Sequence, residues 1–81
     1  MREKKPVLVI AFENVTDALA VEKHCQTNGL PGRIIPIPRE ITAGCGLAWK
    51  AEPEDRDRLI PALDEAGLRY SGVHTVSIFT H

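Results

Sequence analysis

Apolar residues along the chain fall into runs of two kinds. Pro6–Phe12 (PVLVIAF) is continuously apolar and rich in Val and Ile, the pattern of a central strand buried on both faces. Glu13–Thr16 is a polar break in which Asn14 or Thr16 can cap a helix. Over Asp17–Asn28, Ala18, Leu19, Val21 and Cys25 recur at three- and four-residue spacings, which predicts a helix stopped by Gly29. Arg33–Ile37 (RIIPI) reads as a strand. It contains Pro36 and is followed by Pro38, and a proline cannot donate to a ladder, so the strand belongs at an edge. Arg39–Gly46 is a loop, and Leu47–Ala51 (LAWKA) is a short strand with Leu47 and Trp49 on one side. A second helix opens at Glu52–Pro53 and runs to Ala66. Pro61 inside it removes the hydrogen bond to the Asp57 carbonyl and is expected to kink or split it. Ser71–Gly72 turns into a last strand, Val73–Phe79.

The order β-α-β-β-α-β is the split βαβ arrangement of ferredoxin-like α+β domains. It implies a four-stranded antiparallel sheet in the order 4-1-3-2 with both helices on one face. The all-apolar first strand then lies in the centre and the proline-bearing second strand on an edge, as each pattern independently requires. Residues 1–81 read as one small domain. Topology also brings Cys45, at the start of the third strand, to the end of the sheet where the first strand finishes, beside Glu13–Thr16. Ser71–Gly72 arrives at the same end.

Composition narrows the function. Ten Lys and Arg against eleven Asp and Glu leave a formal charge of −1, so the chain lacks the basic face expected of a nucleic-acid binder and the cationic surplus of a membrane-surface protein. The longest apolar run is far short of the ~20 residues of a membrane span. Basic Met1–Lys5 before that run faintly imitates a signal peptide, but Glu13 and Asp17 follow too soon. Two cysteines are too few for a disulfide framework, which points to free thiols in a reducing compartment and to a cytoplasmic protein. A chain of this size has a core worth only ~3–5 kcal/mol net, so a binding partner or self-association, as a homodimer, is a natural supplement. Trp49 is prominent where aromatics make up 5% of the residues. It reads as core, with a dimer interface on the helix-free face as the sharper alternative.

Candidate chemistry concentrates in Pro36–Gly46 (PIPREITAGCG). Gly44 and Gly46 flank Cys45, remove shielding Cβ atoms and permit unusual backbone angles. Their successive N–H groups can form an anion-binding nest. The first helix N-terminus, with Asn14 and Thr16, and the Arg39 guanidinium favour an anion beside the sulfur. A thiolate so placed can take a sulfur or selenium atom from a donor and hold it as a persulfide or selenosulfide. The same three residues also fit a plain turn with Cys45 as a small apolar residue. Cys25, at a core spacing with Ala18 and Val21, reads as a buried inert thiol. His74, His81 and Cys45 have no metal-ligand spacing, so no metal is assigned, and no cofactor motif is present. Heavy-metal chaperones with this arrangement carry paired cysteines after the first strand, and small acyl-phosphate hydrolases carry a glycine–arginine cradle there. FENVT offers neither.

With these segments in view, the chain resembles the family of selenium/sulfur carrier-like proteins. The resemblance rests on Ala18–Lys23 (ALAVEK), Pro36–Glu40 (PIPRE), Gly44–Gly46 (GCG) and Pro53–Asp55 (PED), and it runs from about Val7 to Val76. PIPRE followed by CG is its most specific part; Pro61 and Cys25 depart from the pattern. It implies a carrier, accessory to enzymes rather than one itself, with Cys45 as acceptor and sulfur- or selenium-donating and -accepting proteins as partners. A small non-catalytic ligand- or protein-binding regulatory module is the alternative, and it would not need the Cys45 thiol.

Overall fold

The computed structural model describes residues 3–41 and 44–80. In chain order these form β1 (Glu3–Ala11), α1 (Val15–Asn28), β2 (Arg33–Pro36), β3 (Leu47–Ala51), a 3₁₀ turn (Pro53–Asp55), α2 (Arg56–Glu65) and β4 (Gly72–Thr80). The strands make one antiparallel sheet in the order β2-β3-β1-β4, which is the expected order read from the opposite edge.

Strand alternation separates two apolar layers. Ile10 lies opposite Trp49 and Leu8 opposite Ala51. Together with Phe12 they pack against Ala18, Val21 and Cys25 of α1 and Leu59 and Leu63 of α2, so both helices cover this face. The opposite parity of β1, Val7, Val9 and Ala11, forms a second cluster with Ala48 and Ile41. Val9 and Ala48 are 0% exposed although no helix lies over them. The connection between β2 and β3 places Ile41 in the cluster on that face. This is why the apolar stretch Val7–Ala11 of β1 is stable: each of its parities has a dry surface to meet.

Several expected boundaries move. β1 begins at Glu3 rather than Pro6. Pro6 lies opposite Ser77 of β4, whereas pairing with β3 starts only at Leu8, so its missing donor falls where β1 has a single neighbour. The strand ends at Ala11 and not at Phe12. The second helix is not split at Pro61: α2 runs unbroken through it, and Pro61 and Asp57 are both exposed residues. The irregularity instead lies at the start, where Pro53–Asp55 forms a 3₁₀ turn and the Asp55 carboxylate accepts the Glu52 N–H at 3.1 Å. Leu19, expected on the apolar side of α1, is 51% exposed, because the buried stripe is narrower and consists of Ala18, Val21 and Cys25.

Trp49 is core, as its apolar side suggested. It is 2% exposed, on the helix side of β3, and its Nε1–H donates to the Pro31 carbonyl at 3.0 Å. The alternative of a dimer interface through Trp49 on a helix-free face is thereby overturned: the ring faces the other way and is covered.

Candidate functional site

Phe12 organises the end of the sheet where the chemistry was expected. Its ring is 0% exposed in the helix-side core, which fixes its backbone. Its carbonyl, just past the end of β1, accepts the Cys45 N–H at 3.3 Å. Two residues later Asn14 caps α1, its Oδ1 accepting the Asp17 N–H at 2.9 Å. The Ser71 N–H donates to the Ala11 carbonyl at 2.8 Å and brings the start of β4 to the same end. The convergence of Glu13–Thr16, Cys45 and Ser71–Gly72 read from the topology is therefore observed.

The loop that carries Cys45 is closed at its base by the Ile37 N–H donating to the Gly46 carbonyl at 2.9 Å. Pro38–Ile41 forms a turn with a 3.0 Å bond from the Ile41 N–H to the Pro38 carbonyl, and Ile41 packs into the second cluster. Gly44 and Gly46 adopt φ of +77° and +83°, a region that other L-residues rarely occupy. The two differ in their surroundings. A Cβ on Gly44 would run into the Phe12 carbonyl oxygen, whereas one on Gly46 would meet open space. Gly44 is thus required for close approach and for conformation, Gly46 for conformation alone.

Cys45 is half-buried, lying against the helix-side core, and its Sγ–H is a weak donor to the Leu47 carbonyl at 3.9 Å. Cys25 is 0% exposed, and burial pushes its thiol above the usual cysteine value. Both are free. A small alkylating reagent at neutral pH should therefore consume one thiol of the native chain quickly, with peptide mapping assigning it to Cys45. Cys25 should react only once the chain is denatured, because a neutral buried thiol is a poor nucleophile. Fast labelling of Cys25 in the native protein would contradict this packing.

The other expected residues are placed less tightly. Asn14 and Thr16 are exposed at the start of α1, and the Asn14 oxygen is engaged by its cap. Arg39 is exposed on the Pro38–Ile41 turn. Among the described residues no hydrogen bond joins Arg39, Asn14 or Thr16 to the Cys45 sulfur. His74 is exposed on β4, opposite Val9, and His81 lies outside the described residues. No group of three potential metal ligands occurs among the described residues. Ile41 went unrecognised as part of the site's support. Its signal was a lone large aliphatic residue in an otherwise polar, small-residue loop that faces a sheet surface in need of cover.

A cleft of about 410 Å³ opens at this end of the sheet, lined by Glu13, Asn14, Asp17, Asp64, Arg69 and Tyr70 among others. Its lining carries three carboxylates, Glu13, Asp17 and Asp64, against one cation, Arg69, and Cys45 is not among its residues. The Tyr70 hydroxyl donates to Asp64 Oδ1 at 2.7 Å, and this bond, with lesser burial and charge effects, raises the phenol above its usual value. Cys45 does not line this cleft, so the cleft and the thiol are separate features.

Among the described residues no helix is long and apolar enough to cross a membrane. No curated protein and no solved structure matches the chain. A family model does, over residues 7–75, a span that includes the Pro36–Glu40 segment, the Gly44–Gly46 turn around the half-exposed thiol, and both helices. The chain belongs to the family described as "Putative Se/S carrier protein-like".

Proposed function

We propose that this protein carries sulfur or selenium on Cys45, as a persulfide or selenosulfide, between a donor and an acceptor protein. The Cys45 thiolate attacks the outer chalcogen of a donor persulfide or selenosulfide. A bond forms between Cys45 Sγ and that atom, the donor's own S–S or S–Se bond breaks, and the donor leaves as a thiolate. No external oxidant or reductant is consumed, because the outer atom keeps its oxidation level. Attack by an acceptor nucleophile on the same atom reverses the process and returns the Cys45 thiolate.

The observation that carries this reading is a half-exposed thiol held between two glycines of positive φ, its own N–H tethered to the Phe12 carbonyl. Asn14, the N-cap of α1, follows two residues after Phe12. In this reading Gly44 and Gly46 give access and backbone N–H groups, Asn14 and Thr16 belong to the helix start that favours a bound anion, and Arg39 swings in as counter-charge. The fold class that accompanies it is ferredoxin-like, supported by the element order and the sheet order. The compartment is the reducing cytoplasm, supported by two free thiols.

The test is the intact mass of the full chain after incubation with a cysteine desulfurase and cysteine. A gain of one sulfur atom is expected, reversible by dithiothreitol, lost in Cys45→Ser and kept in Cys25→Ser. An unchanged mass, or a gain that survives in Cys45→Ser, would overturn the assignment and favour the non-covalent binding module.

A further inference from the structure

The two edges of the sheet are built in opposite ways. β2 is four residues long, contains Pro36 and is followed by Pro38, all devices that discourage a further strand. β4 spans nine residues, GVHTVSIFT, with no Asp, Glu, Lys, Arg or Pro, and five of its positions are Val, Ile or Thr. Its inner side pairs with β1 along its whole length, and its outer side pairs with no strand among the described residues. A long, uncharged, β-branched edge is a template for pairing unless something covers it.

We propose that β4 is a homodimer interface, in which two copies pair β4 against β4, antiparallel, about a two-fold axis at Val76, to give one eight-stranded sheet. The strand itself points to a second copy. Its nine residues are centred on Val76, so this register pairs it along its full length. His74 then faces Ile78 of the other copy, and Thr75 faces Ser77. His74 is the strand's one ionisable residue and in this register it faces Ile78 and not a second histidine, so no like charges are set opposite each other. Val76 and Ile78 are half-buried beside the second cluster, on the side opposite the helices. Four such side chains, two from each copy, join into one apolar strip across the axis. On the other face the exposed Thr75 and Ser77 hydroxyls meet across the seam. Such an interface is isologous and closed, and it enlarges a core that is small for one chain. The proposal does not depend on the carrier reading.

The experiment is the molar mass of the full chain by sedimentation equilibrium over a range of concentrations. A shift from 8.9 kDa toward twice that mass is expected; a monomer throughout would overturn the proposal. In wild type, hydrogen exchange at the amides of residues 73–79 should slow as concentration rises, and exchange independent of concentration would also overturn it. Thr75→Lys/Ser77→Lys places lysines opposite each other at two exposed positions, and loss of the dimer with an unchanged circular dichroism spectrum is expected. Thr75→Glu/Ser77→Glu should behave alike. An equimolar mixture of the two variants should recover a dimer of mixed composition by native mass spectrometry. A dimer that survives the lysine variant, or a mixture that fails to pair, excludes this edge and register.

Discussion

Trp49→Ala is expected to leave little folded protein at room temperature. Trp49 lies in β3, flanked across the sheet by Ile10 of β1 and Ile34 of β2, and is 2% exposed. Removing a buried ring of this size costs about 3–5 kcal/mol through lost transfer energy and the cavity left behind. A core of this size supplies a net stability of about the same amount, so almost nothing remains. Trp49→Phe separates the two roles of the residue. It keeps most of the apolar volume but leaves the Pro31 carbonyl without its 3.0 Å partner, which costs about 1–3 kcal/mol. Urea unfolding followed by circular dichroism ranks the three proteins. A Trp49→Ala variant as stable as Trp49→Phe would mean that the ring is not the centre of the helix-side core.

Gly44→Ala is the second large effect, and it reaches the thiol as well as the fold. At φ +77° an alanine is strained by about 1–2 kcal/mol. Its Cβ would also occupy the position of the Phe12 carbonyl oxygen, which is backbone and cannot rotate away. The two terms together are expected to cost about 3 kcal/mol, or the loop shifts and the Cys45 N–H to Phe12 bond is lost. For a domain of this size each kcal/mol lowers Tm by about 4–8 °C. Gly46→Ala is the control: its φ is +83° with open space around it, so only the strain of about 1–2 kcal/mol applies. Calorimetry should rank wild type above Gly46→Ala above Gly44→Ala. Sulfur uptake by Cys45 should fall further in Gly44→Ala than in Gly46→Ala. Equal losses at the two glycines would remove the close approach to Phe12 from the account.

The strand order was legible because two patterns agreed. Pro6–Phe12 is apolar at both parities and needs the centre of a sheet, while Pro36 needs an edge, and one βαββαβ topology satisfies both. The meeting of Cys45 with the end of β1 followed from strand direction alone. What escaped the reading depends on tertiary context. Glu3–Lys5 lay outside the expected strand, in the basic stretch that faintly imitates a signal peptide, yet it extends β1, because β4 is long enough to pair with it. Pro61 looked like a break, yet its ring side is exposed and the helix tolerates one missing bond. Ile41 gave no periodic signal, since one residue has no period. Its role appears only once the sheet surface beneath it is known. The thiol's tether was hidden for the same reason: a backbone carbonyl carries no sequence signature, and Phe12 announced itself only as a core ring.

Phe12 thus ties the interior of the molecule to the Cys45 turn. Its ring is locked among the helix-side residues while its oxygen grips the turn that presents the sulfur. A change of packing around that ring is therefore passed, through a single peptide unit, to the turn that holds Cys45. On the carrier proposal, a substitution in the centre of this protein alters the handover point even with every residue of the exposed loop unchanged.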